Sequence, residues 1–494
     1  MALPLYERAI NGDDDGLVRL TPAGAGAATL IPDRAPAAGE QYRFHFDMTK
    51  CIGCRSCEVA CNEQNGNPAE IHWRRIGEIE GGTYPDTLRH YLSMGCNHCL
   101  DADCVKGCPV DAYTKDPVTG IVLHSAEACI GCQYCVWNCP YSVPQFNAER
   151  GVVGKCDMCH GRLTDGLEPA CVNACPEAAI AIEIVDRTAW RIDYSSADSP
   201  GMPAAGHTIS TTRITLPEDA VQTLQRVDAG RIRPEHAHLS LVVMTALMQA
   251  VAGTLVCALL RQGAGRGLLT ALLGVTGVAL NISVLHLGRP AYAWRALKMW
   301  RRSWLSREVL LFGLFFAALS AATAMAWLGA GAQWLSWMAA ALGVAGVMAS
   351  ACIYLVAARP AWNMVHTPLD FLLSAALLGS MVTPLWTRTD GAGAAAGAAA
   401  GLWLANQAVR LVRLSRSERF EERASAGLLN TSGLREALIA SLALVAMAGA
   451  LSLRGDWMAA AVVALGGVLL SRYLFFVSVV PLNMALTFVR GGGR

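Results

Sequence analysis

Sixteen of the eighteen cysteines in this 494-residue chain form four tetrads before residue 176, and this spacing is its most restrictive feature. The fourth cysteine is followed by proline in three of the four tetrads. In runs of this kind three close thiolates hold one iron–sulfur cubane, and the fourth reaches a neighbouring cluster. The sequence therefore predicts four [4Fe-4S] clusters and an electron-transfer role. The tetrads are Cys51, Cys54, Cys57 and Cys61; Cys96, Cys99, Cys104 and Cys108; Cys129, Cys132, Cys135 and Cys139; and Cys156, Cys159, Cys171 and Cys175.

Two other uses of cysteine fit this pattern poorly. Structural zinc sites are built from paired Cys-x2-Cys units, and a three-plus-one spacing that ends in Cys-Pro is not a zinc-finger pattern. A disulfide framework needs an oxidising compartment, and we find neither an apolar signal region nor a twin-arginine address near Met1. Cys257 and Cys352 lie alone in apolar segments, where we expect them to be small buried hydrophobes.

Charge divides the chain into two unlike halves. Residues 1–234 contain 20 Lys and Arg against 30 Asp and Glu, which gives a net charge of −10. Residues 235–494 contain 20 against 9, which gives +11. The near-neutral total is a cancellation between an acidic half and a basic half, and thiolate-bound cubanes would add negative charge to the first.

The second half has the pattern of a membrane bundle. Its apolar runs of about 18 to 24 residues are long enough to cross a bilayer as helices. Tryptophans near the run ends are typical of interfacial anchors. Small residues in 391–401 would allow close helix contact, although this stretch could instead be a flexible linker. The eight predicted spans are 239–260, 267–287, 308–329, 334–357, 369–387, 392–412, 436–453 and 457–480.

The distribution of basic residues predicts the orientation. With eight spans, the N-terminal half, three of the loops and the C-terminus share one side of the membrane. The three loops and the C-terminus on that side, with the span end at Arg410, have 15 Lys and Arg, and the opposite loops have only Arg261, Arg266, Arg388 and Arg454. By the positive-inside rule we expect a multi-pass protein of the inner membrane whose cysteine-rich half faces the cytoplasm.

The motifs resemble a known family. The segments Cys96-Asn-His-Cys99, Cys129-Ile-Gly-Cys132-Gln-Tyr-Cys135 and Pro140-Tyr141 resemble the iron–sulfur subunit of dimethyl sulfoxide reductase-type molybdoenzymes. The segments His286-Leu-Gly-Arg-Pro290 and Ser306-Arg-Glu308 resemble the membrane-anchor subunit of the same enzymes. The chain is thus similar to a fusion of two subunits, over about residues 41–185 and 239–485.

Composition, hydropathy and the resemblance together predict a fold and a set of boundaries, although the resemblance itself covers neither the N-terminal extension nor the connector. We expect a multidomain chain with an N-terminal α+β ferredoxin-like domain and a C-terminal all-α bundle of eight transmembrane helices. The expected parts are an extension at 1–40, the four-cluster domain at 41–186, an irregular connector at 187–237, the membrane anchor with a quinone site at 238–485 and a tail at 486–494.

The resemblance also implies how the cysteines pair. The first and last tetrads share two clusters, and the middle two tetrads share two. We expect the cluster of Cys51 to lie toward a separate catalytic subunit that holds molybdopterin, and the cluster of Cys104 toward the membrane quinone. The four implied sets are Cys51, Cys54, Cys57 with Cys175; Cys156, Cys159, Cys171 with Cys61; Cys129, Cys132, Cys135 with Cys108; and Cys96, Cys99, Cys104 with Cys139.

Ionisable residues at the domain-side ends of the spans are candidates for a quinone site, because polar groups in membrane segments are costly and usually functional. A histidine can donate a hydrogen bond to a quinone carbonyl and take up its proton near neutral pH. The two histidines could instead be interfacial residues bound to backbone or headgroups, and Arg289 could set topology or seat the acidic domain. The candidates are His286, Arg289, Glu308, Arg359 and His366, with Asp370 close by in the sequence.

These features predict an electron-transfer and anchor subunit of a molybdenum or tungsten oxidoreductase. We find no phosphate-binding loop, dinucleotide fingerprint or nucleophile elbow, and expect no nucleotide or nucleic acid partner. Cytoplasmic placement favours sulfite oxidation feeding the quinone pool. The alternatives are quinol-driven reduction of nitrate, a sulfoxide or another oxyanion, and an ion-translocating quinone module.

Overall fold

A computed structural model describes residues 6–9, 19–22, 30–218, 224–225, 232–261, 263–331, 333–387 and 391–482. These residues form an α+β part that carries all sixteen tetrad cysteines, followed by a bundle of long helices. The predicted tail at 486–494 lies outside the described residues.

The α+β part is organised around a sheet with the strand order β10-β3-β11. Strand β3 runs antiparallel to β10 and parallel to β11. Its side chains alternate, so Tyr42, Phe44 and Phe46 enter the core while Arg43 and His45 are less buried. The strands are β1 Tyr6–Ala9, β2 Arg19–Pro22, β3 Glu40–Asp47, β4 Arg75–Thr83, β5 Asp86–Met94, β6 Tyr113–Lys115, β7 Val122–His124, β8 Gln145–Asn147, β9 Val152–Gly154, β10 Ile180–Asp186, β11 Arg213–Thr215 and β12 Leu224–Gln225.

Short helices accompany the cysteine runs. The longest of those in the tetrad region, α1, has 10 residues and begins one residue before Cys57. Each helix of the tetrad region begins between two cysteines of one tetrad. These helices are α1 Ser56–Asn65, α2 Asp103–Gly107, α3 Tyr134–Asn138, α4 His160–Thr164 and α5 Ala170–Asn173, and α6 Arg187–Ile192 follows them.

The prediction that residues 187–235 are an irregular surface segment is wrong for the first part of that range. Residues 187–192 form α6, and residues 213–215 form β11, which joins the sheet beside β3. Trp190 is buried, and its indole N–H donates to the Ser210 carbonyl at 2.8 Å. The prediction relied on the turn-forming residues in this segment. The segment is ordered instead because β11 pairs with β3 and Trp190 is buried.

The second half is a bundle of long helices. Within the described ranges, seven helices are long and apolar enough to cross a membrane. An eighth long helix, α12, lies where the sixth span was predicted, so the alternative of a flexible linker there is wrong. Its Ala and Gly content, with Asn406 and Gln407, makes it less apolar than the others. The helices are α7 Leu239–Arg261, α8 Arg266–Val284, α9 Trp304–Trp327, α10 Gln333–Ile353, α11 His366–Val382, α12 Ala392–Arg416, α13 Phe420–Leu429, α14 Leu434–Arg454 and α15 Trp457–Val477.

Candidate iron–sulfur centres and quinone site

Two cavities in the α+β part are lined by four cysteines each. One cavity brings together Cys51, Cys54 and Cys57 from the start of α1 and Cys175 from the end of the domain. Its other walls are mainly apolar, with Phe46, Ile52, Ile76 and Ile180 among them. The second cavity is lined by Cys96, Cys99, Cys104 and Cys139. In both cavities three cysteines come from one tetrad and the fourth comes from another, which is the arrangement expected of a cubane shared between two runs.

The remaining eight cysteines also gather into two groups. Burial raises the pKa of the Cys61 thiol, and the neighbouring charges of Cys156, Cys171 and Cys159 raise it further. Burial likewise raises the pKa of Cys132 to about 12, with Cys108 and Cys129 as its charged neighbours. The charged neighbours of Cys135 are Cys132, Cys108 and Cys129.

The thiols fit iron–sulfur clusters as a donor set. Since burial raises their pKa values, several would stay protonated at neutral pH unless a metal centre held the thiolate form. Among the described residues, no three His, Cys, Asp or Glu side chains converge closely enough to hold a single metal ion. The four thiols of the Cys96 set instead surround about 380 Å³ of empty space, part of it open to solvent.

A buried arginine lies between two of these sites. Arg74 is 2% exposed, and its guanidinium donates to the Ser93 carbonyl and hydroxyl at 3.2 and 3.1 Å. Burial would lower the pKa of Arg74, but the charges of Cys171, Cys57, Cys156 and Cys61 outweigh this effect and raise it. These cysteines belong to two different sets, so one cation interacts electrostatically with both sets.

The α+β part meets the bundle through backbone contacts. Gly131 lies inside the third tetrad, Gly151 between β8 and β9, and Gly288 in the loop after α8. A Cβ on Gly288 would lie 2.8 Å from the Gly151 Cα, and one on Gly131 would lie 2.9 Å from the Gly288 Cα. No side chain larger than hydrogen fits this triple contact, which we call the glycine seam. Next to it, the Arg289 N–H donates to the Ile130 carbonyl at 3.1 Å.

The seam corrects one expectation. We expected the cluster of Cys104 to lie toward the membrane, but the bundle contacts the segments that carry the other set. The Met299 N–H donates to the Pro109 carbonyl, directly after Cys108, at 3.2 Å. Cys132 packs against the apolar core of the bundle. The set of Cys108, Cys129, Cys132 and Cys135 is therefore the one beside the membrane part.

Aromatic residues extend this contact. Trp137, from the third tetrad, packs on Trp362, Tyr354 and Phe476 with ring centroids 5.5, 5.9 and 6.3 Å away. It also meets His238 at 5.3 Å. Sequence reasoning missed these residues. The sequence feature that could have indicated this contact is the position of Trp137, a large apolar residue between Cys135 and Cys139.

The five candidate quinone residues have different polar partners. Arg289 donates from its guanidinium to the Ala126 carbonyl at 2.8 Å, so it seats the domain as the alternative proposed. The His286 ring bonds to the Ser283 carbonyl. Arg359 is 3.7 Å from Glu235, and His366 is 2.8 Å from the Asn406 amide oxygen. His238, missed in the sequence, lies within electrostatic range of both His286 and Arg359.

Glu308 lies close to the cluster domain. Its side chain is buried at the start of α9, beside Ser350 of α10. The phenols of Tyr134 and Tyr354 are within electrostatic range of it. Tyr134 follows Cys132 by two residues, so an acid and a phenol lie within electrostatic range of each other at the boundary between the third tetrad and the bundle.

Asp370 forms a buried ion pair in the helix bundle. It pairs with Arg472 of α15 at 3.0 Å, and both side chains are almost fully buried. The Gln407 amide also donates to Asp370, and Arg472 reaches the Gln249 oxygen at 3.4 Å. The pair and its two amide partners lie on α7, α11, α12 and α15.

These features together define an iron–sulfur electron-transfer protein built onto a multi-pass membrane anchor. Residues 88–185 match the family model of the 4Fe-4S dicluster domain, and residues 234–399 match that of the DMSO reductase anchor subunit. The chain belongs to the family of dimethyl sulfoxide reductase iron–sulfur subunits, and in it this subunit is followed by an anchor domain.

Relatives of the first part are subunits of several oxidoreductases. A subunit of the anaerobic dimethyl sulfoxide reductase of Haemophilus influenzae is 40% identical over 172 residues, which is 33% of this chain and 83% of that protein. A subunit of the sulfite dehydrogenase of Allochromatium vinosum is 35% identical over 160 residues, 28% of this chain and 67% of that protein. The arsenate respiratory reductase iron–sulfur subunit ArrB of a Shewanella species is 35% identical over 189 residues, 28% of this chain and 80% of that protein.

Proposed function

We propose that this chain relays electrons through four [4Fe-4S] clusters between a separate molybdopterin-containing catalytic subunit and the membrane quinone pool. The observation that carries the proposal is the pair of cavities lined by four cysteines, each drawn from two distant tetrads. A cubane supplies one-electron exchange with little rearrangement. Such a relay connects two-electron chemistry at a distant centre to a carrier that takes electrons singly.

The membrane end of the relay is the set of Cys108, Cys129, Cys132 and Cys135. Its backbone contacts with the bundle and the packing of Cys132 on the bundle core support this assignment. The exposure of Cys54 supports the set of Cys51 as the end open to a catalytic partner.

The quinone site in this proposal lies at Glu308. The buried carboxyl group can accept or release a proton beside the cluster nearest the membrane, and Tyr134 and Tyr354 provide hydroxyl groups around it. His286 lies two residues before Gly288 of the seam and is a second candidate for hydrogen bonding to the quinone. Arg289 holds the domain in place, and Arg359 and His366 are engaged by Glu235 and Asn406.

One experiment tests the relay and its quinone end together. The anaerobically purified complex is treated with a quinol analogue, and cluster reduction is followed by electron paramagnetic resonance. Wild-type protein should contain about sixteen irons per chain, four for each cubane. Cys132→Ser should alter one cluster signal and block quinol-driven reduction of the others, whereas Glu308→Gln should slow that reduction with all signals intact. A wild-type chain with far fewer irons contradicts the relay, and unchanged kinetics in Glu308→Gln removes that residue from the site.

We propose cytoplasmic placement of the cluster domain and sulfite oxidation as the reaction served. The excess of Lys and Arg on the domain side supports the placement, and the similarity to a sulfite dehydrogenase subunit supports the substrate. Quinol-driven reduction of a sulfoxide, of nitrate or of another oxyanion is the alternative, supported by the similarity to subunits of a dimethyl sulfoxide reductase and of an arsenate reductase. Isolation of the complex and assay of its catalytic subunit with sulfite and a quinone analogue decide between them.

Ion translocation is a second candidate, favoured by the buried pair of Asp370 and Arg472 with its amide partners. In proteoliposomes such coupling would move protons during quinone turnover. The double variant Asp370→Leu with Arg472→Met, which leaves no unpaired buried charge, would then abolish that movement and leave the cluster signals unchanged. Equal proton movement in the variant and the wild type excludes a path through this pair.

A further inference from the structure

A segment after the cluster runs covers the cavity of Cys96, Cys99, Cys104 and Cys139. Residues 205–212, which we call the strap, lie alongside residues 97–101. The Leu100 N–H donates to the Ile209 carbonyl at 2.9 Å, and the Asp101 N–H donates to the Thr208 carbonyl at 3.0 Å. The strap lies beyond residues 88–185, which match the iron–sulfur family model.

The strap places one hydroxyl group on a cluster sulfur. Thr208 is 2% exposed and lines the cavity, and its hydroxyl lies 3.1 Å from the Cys99 sulfur. A thiolate bound to iron has no proton to give, so the hydroxyl must be the donor in the loaded protein. The sulfur is then the acceptor of a charge-assisted hydrogen bond.

Two lysines near this cavity donate to backbone oxygens. The Lys115 ammonium donates to the Cys99 carbonyl at 2.7 Å, and the Lys155 ammonium donates to the Cys156 carbonyl at 2.8 Å. These cations act on the whole neighbourhood, whereas Thr208 acts on a single ligand atom. A change at Thr208 should therefore affect one cluster.

We propose that Thr208 raises the reduction potential of the cluster held by Cys96, Cys99, Cys104 and Cys139, and so sets the place of that cluster in the relay. Hydrogen bonds to cluster sulfurs tune the potential. The added electron makes the cluster and its thiolates more negative, so a donor to sulfur stabilises the reduced form more than the oxidised form. The inference rests on the proposed function, since it requires a cluster at this site.

The test is a redox titration of the anaerobically purified complex, followed by electron paramagnetic resonance. Thr208→Val, which keeps the shape but loses the hydroxyl, should lower the midpoint potential of one cluster and leave the other three unchanged. Thr208→Ser should stay near the wild-type value because the donor is kept. Thr208→Ala is a second variant without the hydroxyl, in case valine prevents cluster assembly.

Thr211→Val is the matched control. Thr211 is a fully buried strap threonine, but its hydroxyl donates to the Asn97 carbonyl at 2.6 Å and not to a sulfur. Its loss should leave all four potentials unchanged. An equal shift in Thr211→Val, or an unshifted potential in Thr208→Val and Thr208→Ala with the cluster present, overturns the inference alone. If Cys99→Ser removes no signal from the wild-type spectrum, the proposed function fails and the inference fails with it.

Discussion

At the scale of single residues, buried cations lie close to the clustered thiols and can balance the negative charge of their thiolate form. Arg74 and Lys155 are 2% and 3% exposed, and neither forms an ion pair with a carboxylate among the residues that the structure describes. Burying a charge without a partner is costly. The thiolates around Arg74 supply that partner, so the positions of arginine and cysteine depend on each other.

Arg74→Met should therefore weaken two cluster sites at once. The iron content of the purified variant should fall toward about half of the wild-type value, because two of the four sets adjoin this cation and a buried charge strongly depends on its partner. Arg74→Lys should retain more iron because it keeps the charge. Arg191→Met, which removes an exposed arginine paired with Asp101, is the control and should retain full iron content. Full iron content in Arg74→Met contradicts this role.

At the scale of elements, the sequence predicted what is locally encoded. The apolar runs located the long helices to within a few residues, since hydropathy is a property of each segment alone. The strap was not predicted because its burial depends on residues 97–101, far away in the chain. The glycine seam was missed for the same reason: Gly288 was visible inside a family motif, but its contact with Gly131 and Gly151 exists only in the folded chain.

Gly288→Ala should separate the two parts of the chain without emptying the clusters. A methyl group there would overlap the Gly151 backbone and push the loop after α8 away from the third tetrad. Quinol-driven cluster reduction should slow on the order of tenfold or more, since small misplacements of reacting groups have large kinetic effects. Gly274→Ala in α8 is the matched control, because a methyl group at that position meets no atom within 4 Å. Stopped-flow kinetics with unchanged cluster spectra is the measurement, and equal rates in both variants would contradict the role of the seam.

At the scale of the whole molecule, the acidic and basic halves predicted from charge are joined by direct contacts as well as by the connector. Arg302 and Lys298 of the bundle lie 3.2 and 3.6 Å from Asp111 of the domain. The order of the clusters could not be predicted from spacing alone, because the tetrads give ligand sets but not their distances from the membrane. The ion pair of Asp370 and Arg472 was hidden as well, since its members lie on separate helices.

Asp370→Asn should destabilise the whole bundle. It leaves Arg472 buried without its carboxylate, and breaking a buried pair in this way typically costs about 3–5 kcal/mol. The double variant Asp370→Leu with Arg472→Met, which removes both charges, should recover much of the loss. Thermal unfolding of the complex in detergent is the measurement. A single variant as stable as the wild type would show that the pair does not hold α11 and α15 together.

The glycine seam limits how such a protein can change. Where two surfaces touch through side chains, a smaller or a larger side chain can narrow or widen the gap between them. A contact between glycine backbones has no side-chain atoms that a substitution could remove. Any replacement can only widen the gap. The distance between the third tetrad and the helix bundle is therefore already at its minimum. Sequence changes that leave this distance unaltered must fall outside the three glycines.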